Sequence, residues 1–101
     1  MNRKEDEGNN TNSLNVEIIT PTSSFEFKDS HMVVMPGSKG EFGVLPGHVP
    51  LISSLDSGVV TIFHGNHMKV VGRISISPGF VEVTGNSVVI LVEQAEEAAH
   101  H

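Results

Sequence analysis

Apolar residues in the middle of this chain recur at every second position. Phe25 and Phe27 alternate with Glu26 and Lys28, and Ile74 and Ile76 alternate with Arg73, Ser75 and Ser77. Successive side chains of a strand point to opposite faces, so this period predicts half-buried β-strands. Val81 and Val83 alternate with Phe80, Glu82 and Thr84. The aromatic on the second face there predicts a strand covered on both sides. Residues 88–92 are continuously apolar, the pattern of a strand buried between layers. Turn formers punctuate the pattern at Pro36-Gly37, Pro46-Gly47, Asp56-Ser57-Gly58, Gly65-Asn66, Pro78-Gly79 and Gly85-Asn86. Their spacing of roughly ten residues is that of a β-sandwich or barrel. His64-Gly65-Asn66-His67 predicts a two-residue hairpin loop with Gly and Asn at positive φ.

Composition sharpens this reading at the ends. Val occurs 14 times and Ile 7 times, while the only alanines are Ala95, Ala98 and Ala99. A β-branched body without Ala suits pleated sheets and disfavours long helices. Residues 1–13 contain one apolar side chain, Met1. Burial there cannot offset the entropy of ordering, so a disordered tail is expected. Residues 14–92 form the expected sandwich domain. From Glu93 the sequence changes to Glu-Gln-Ala-Glu-Glu-Ala-Ala. These are good helix formers in too short a run to stand alone, so at most a helical stub is expected over 93–101. His100-His101 has the look of a purification-tag remnant and is set aside.

Charge and chemistry mostly exclude. The chain of 101 residues has a formal net charge of −6. The body holds four bases against six acids, so the acidity sits mainly at the ends. An acidic chain without Trp or Tyr is a poor nucleic-acid ligand. No apolar run approaches the roughly 18 residues of a membrane-spanning helix. The absence of Cys excludes disulfides, thiolate metal sites and thiol catalysis. Gly37, Gly40 and Gly43 resemble a phosphate loop only superficially, because Ser38-Lys39-Gly40 reverses the order that loop needs. His64 and His67 could face each other across the predicted hairpin, but two imidazoles make a weak metal site. No nucleophile elbow and no convergent triad is visible. No catalytic residue, metal or cofactor is expected.

One stretch does not reduce to ordinary strand and turn. Residues 36–51, Pro-Gly-Ser-Lys-Gly-Glu-Phe-Gly-Val-Leu-Pro-Gly-His-Val-Pro-Leu, concentrate rigid turn formers in one span. Such a segment is preorganised, which lowers the entropic cost of docking. From Gly37 to Leu51 it closely resembles the signature of the epsilon subunit family of F-type ATP synthases, called delta in mitochondria. A second block, Ile76-Ser77-Pro78-Gly79-Phe80-Val81-Glu82-Val83 followed by Asn86-Ser87-Val88-Val89-Ile90-Leu91, is similar to that family's closing hairpin. Val16-Glu17-Ile18-Ile19-Thr20-Pro21 resembles its first strand. The likeness runs over about residues 14–97.

The resemblance implies a ten-stranded β-sandwich of two five-stranded sheets. It implies a non-catalytic rotor subunit at the foot of the central stalk, linking the gamma subunit to the c-ring and coupling proton flow to ATP synthesis. Its location would be peripheral, on the cytoplasmic face of a bacterial inner membrane, and the isolated chain would be a monomer. Carried over by position, Glu41 matches the residue facing the c-ring loops, with Ser38 and Lys39 on the same turn. Thr20, His48 and Ser53 match gamma-facing positions. An exposed apolar patch is expected where gamma would sit. Family members commonly continue into a helical hairpin that restrains ATP hydrolysis or binds ATP. Residues 93–98 resemble its first turn, and neither hairpin function is expected of the residues present. The competing reading from the residues alone is a stand-alone β-sandwich binding module.

Overall fold

The computed structural model describes residues 13–98, which form ten strands and no helix. In chain order they are β1 (Leu14–Ile19), β2 (Ser24–Ser30), β3 (Met32–Gly37), β4 (Gly40–Val44), β5 (Leu51–Leu55), β6 (Gly58–His64), β7 (Lys69–Ile76), β8 (Gly79–Thr84), β9 (Ser87–Val92) and β10 (Ala95–Glu97). The expected tail lies outside the described residues except for Ser13, as do residues 99–101.

Hydrogen bonding runs in the order β10-β7-β6-β3-β5-β8-β9-β1-β2, with β4 on the other edge of β3. Between β3 and β5 the path rests on one register pair, Gly37 with Leu55. The single curled sheet therefore divides there into two five-stranded layers, β10-β7-β6-β3-β4 and β5-β8-β9-β1-β2. Only β1 and β9 pair in parallel; the other pairings are antiparallel.

The core follows from the two-residue period. Leu14, Val16 and Ile18 of β1 point inward, as do Val60 and Ile62 of β6, Ile74 and Ile76 of β7, and Val88 and Ile90 of β9. Each contributes apolar area at about 25 cal/mol per Å² removed from water. Val33, Met35 and Val44 continue the core across the β3–β4 hairpin. Layer contact is tight where Phe27 of β2 covers Gly72 of β7. A Cβ at Gly72 would lie 2.6 Å from the Phe27 ring, so any larger residue there would have to displace that ring.

Four local expectations change. Strand β8 is covered on one face only: Val81 and Val83 are buried, but Phe80 is 56% exposed. In β9, Val88, Ile90 and Val92 are buried while Leu91 is exposed, so its continuous apolar run does not mean cover on both faces. The β6–β7 loop is four residues, 65–68, closed by Met68 N–H donating to the Gly65 carbonyl at 3.1 Å. His64 consequently pairs with Lys69 and His67 lies in the loop, so the two imidazoles do not oppose each other. Finally, Ala95–Glu97 is a strand and not a helical turn. It pairs antiparallel with β7, matching Ala95 to Ile76 and Glu97 to Ile74. An open sheet edge supplies partners at once, whereas an isolated helical turn must first overcome its nucleation cost.

Candidate partner-binding surfaces

Strand register assigns the loops to two ends of the second layer. Leu55 pairs with Gly79, Gly79 with Val92, and Ile19 with Leu91. Thr20 therefore lies at the same end as the β3–β4 turn, which Gly37 joins to Leu55. Leu51 pairs with Val83 and Val83 with Val88 at the opposite end, where the β4–β5 loop and His48 lie.

The β3–β4 turn is a two-residue hairpin. Ser38 and Lys39 form its tip between paired Gly37 and Gly40, and both are exposed. Gly37 is required there, because a Cβ would meet the Gly40 carbonyl and the Phe42 ring at 2.8 Å. Glu41 follows on β4, exposed and paired with Pro36. An open groove of about 490 Å³ is lined by Ser38, Lys39, Glu41 and Phe42 together with Ser53 and Ser54. The structure thus gathers Ser38, Lys39, Glu41 and Ser53 at one place. Ser53 is register-paired with buried Val81, so its side chain takes the inner side of β5, while Ile52 points out.

Thr20 closes the β1–β2 turn. Its Oγ1 accepts hydrogen bonds from Ser23 N–H at 2.9 Å and Thr22 N–H at 3.2 Å. The same hydroxyl lies 3.2 Å from the Ser23 carbonyl, to which it donates, and 3.1 Å from Ser23 Oγ. At 8% exposure, this side chain is occupied by local bonding. His48 is half-buried in the β4–β5 loop. Its N–H donates to the Leu45 carbonyl at 3.1 Å, and Nδ1 donates to the Val49 carbonyl at 2.8 Å.

The feature that residue patterns alone did not locate is the outer face of the second layer. Ile19, Leu91 and Phe80 are register neighbours across β1, β9 and β8, and they form an apolar row. Phe80 and Leu91 are exposed, and Ile52 on β5 is 75% exposed. Val49 and Leu45, in the β4–β5 loop at one end of this layer, are exposed as well. A groove of about 420 Å³ opens between Ile19, Pro21, Pro78, Phe80 and Leu91. Beside the apolar row runs a second row in which Glu26, Glu17, Val89, Glu82 and Ile52 are successive register partners. Thr20 and His48 bracket this face at its two ends. A contiguous apolar patch with acidic neighbours fits a partner that is apolar at its centre and basic around it. Among the described residues, no group of three or more His, Asp or Glu side chains is able to hold a metal ion.

Comparison with known proteins agrees with the geometry. Residues 13–98 match the family described as ATP synthase, Delta/Epsilon chain, beta-sandwich domain. The chain is 44% identical over 86 residues to the ATP synthase epsilon chain of Campylobacter fetus, a match covering 83% of this chain and 64% of that protein. It is 43% identical over 83 residues to the ATP synthase epsilon chain of Rickettsia typhi, covering 82% of this chain and 76% of the relative. It therefore spans less than two thirds of the Campylobacter protein's length. Two solved structures share the fold. A chain of the Euglena gracilis mitochondrial ATP synthase (OSCP/F1/c-ring) aligns with TM-score 0.74 and 20% identity, covering 85% of this chain and 54% of that one. A chain of the Tetrahymena thermophila mitochondrial ATP synthase central stalk and c-ring aligns with TM-score 0.69 and 18% identity, covering 84% and 66%.

Proposed function

The chain belongs to the ATP synthase delta/epsilon chain family, and on that premise we propose that it is a non-catalytic subunit of the central stalk. In this role it joins the gamma subunit to the c-ring, so that proton-driven ring rotation reaches gamma and drives ATP synthesis elsewhere in the complex. It works at the periphery of the membrane. Both relatives named above are bacterial, which supports the cytoplasmic face of a bacterial inner membrane.

The observation that carries the reading is the apolar face of Ile19, Leu91, Phe80 and Ile52, left open on an otherwise well-packed sandwich. Gamma takes this face, with Thr20 and His48 at its two ends. The hairpin tip of Ser38 and Lys39, with Glu41 beside it, meets the polar loops of the c-ring. Ser53, carried over as a gamma-facing position, lines the groove near Glu41 with its side chain on the opposite side of β5 from Ile52, which favours a contact near the hairpin tip. A densely packed sandwich suits transmission of torque, since close-packed interiors deform little.

Calorimetric titration of the chain with purified gamma subunit tests the reading. Saturable binding with a negative heat-capacity change is expected, the signature of apolar burial. Phe80→Asp should weaken it at least about tenfold, some 1.4 kcal/mol or more. Its folding stability should stay within about 0.5 kcal/mol of the parent, as for exposed sites generally. Absence of binding, or a Phe80→Asp chain that binds like the parent, overturns the assignment and favours a stand-alone binding module.

A further inference from the structure

We propose that Asn86 is the positioning residue of the β4–β5 loop, setting how Leu45, His48 and Val49 meet the partner. This rests on the reading that the apolar face and its flanking loop dock gamma.

The loop over residues 45–50 carries the chain from one layer to the other without strand pairing of its own. Its internal bonds, from His48 N–H to the Leu45 carbonyl and from His48 Nδ1 to the Val49 carbonyl, shape the loop. They do not orient it against the second layer. The bond that does so comes from Gly47 N–H, which donates to Asn86 Oδ1 at 2.9 Å across 39 residues of sequence.

Asn86 is a firm anchor because its backbone is held twice. It belongs to the two-residue turn that closes β8 onto β9 between paired Thr84 and Ser87. Its carbonyl also accepts Asn15 N–H from β1 at 2.8 Å. Strands β8, β9 and β1 are those that carry Phe80, Leu91 and Ile19. The Asn86 side chain therefore ties the loop to the strands that carry the apolar face. Leu45 is 48% exposed and Val49 is 69% exposed. If their loop moved freely, docking would have to order it, and affinity would fall by that entropy.

The acceptor is a carbonyl-type oxygen, so aspartate keeps it and leucine removes it at similar size. The test measures hydrogen exchange at the Gly47 amide by NMR and gamma affinity by calorimetry. It uses the parent, Asn86→Asp and Asn86→Leu, in salt high enough to screen the added charge. In Asn86→Leu, Gly47 exchange should accelerate and gamma affinity should drop about tenfold, the ratio that an ordinary hydrogen bond carries. The Val81 and Ile90 amides should stay protected, showing that the sandwich is intact. Asn86→Asp should keep both Gly47 protection and affinity within about twofold, because its oxygen still accepts. The proposal fails if Asn86→Leu binds gamma like the parent, if Gly47 exchange does not change, or if Asn86→Asp loses as much as Asn86→Leu. Failure of the parent itself to bind gamma is a different result, and it removes the docking reading along with this one.

Discussion

The Thr20 hydroxyl accepts two backbone N–H groups within its own turn, and that bonding limits what else it does. Thr20→Val keeps the shape but leaves the Thr22 and Ser23 amides without their acceptor. A stability loss of about 1–3 kcal/mol is expected in chemical denaturation, with Thr20→Ser recovering most of it. Gamma affinity should change less than about twofold in Thr20→Val, because the lost group serves the turn. A large affinity loss at unchanged stability would instead make Thr20 a direct contact. Ser53 teaches the same lesson through orientation. Motif matching identifies the position, but a strand reverses its side-chain direction at each residue, so Ile52 and not Ser53 shares the face of Phe80. The corner between β2 and β3 was equally illegible. There Asp29 adopts φ 57° and Ser30 is buried, its Oγ donating to the Phe27 carbonyl at 3.2 Å. No Gly or Pro marks that corner.

At the scale of elements, β10 is where local preference and tertiary context disagree. Its residues favour helix, but β7 offers a sheet edge, and the join is secured beyond the register pairs. Ser77 N–H donates to the Gln94 carbonyl at 3.0 Å, and Ala98 N–H donates to the Arg73 carbonyl at 2.8 Å. Gln94 N–H also donates to Ser77 Oγ at 3.0 Å. Glu96 and Glu97 are exposed along this short strand, the kind of charge that discourages edge-to-edge pairing. A chain ending after Gln94 should bare β7, whose Val70 and Val71 are already exposed. Concentration-dependent self-association in sedimentation velocity is expected, with stability lower by about 1–2 kcal/mol. A truncated chain that stays monomeric and equally stable would show that β10 does not protect this edge.

Across the whole molecule, one sandwich carries two surfaces of different chemistry, an apolar sheet face and a polar hairpin tip. Perturbations at the two should therefore act independently. Glu41→Lys should leave gamma affinity within about twofold while reducing ATP-driven proton pumping in the reconstituted complex. If Glu41→Lys weakened gamma binding as much as Phe80→Asp, the two-surface arrangement would be wrong. The sequence by itself determined the all-β class, because two-residue alternation and β-branched composition are local properties. It also marked the turns that need Gly, Pro or Asn, such as Gly85-Asn86, and the family through its loop signature. Tertiary structure alone decided that Phe80 and Leu91 face outward, since an apolar residue is buried only if another layer covers it. It likewise decided that residues 95–97 become a strand and that Asn86 meets Gly47. Each of these depends on groups distant in the chain meeting in space, and no local pattern encodes that meeting.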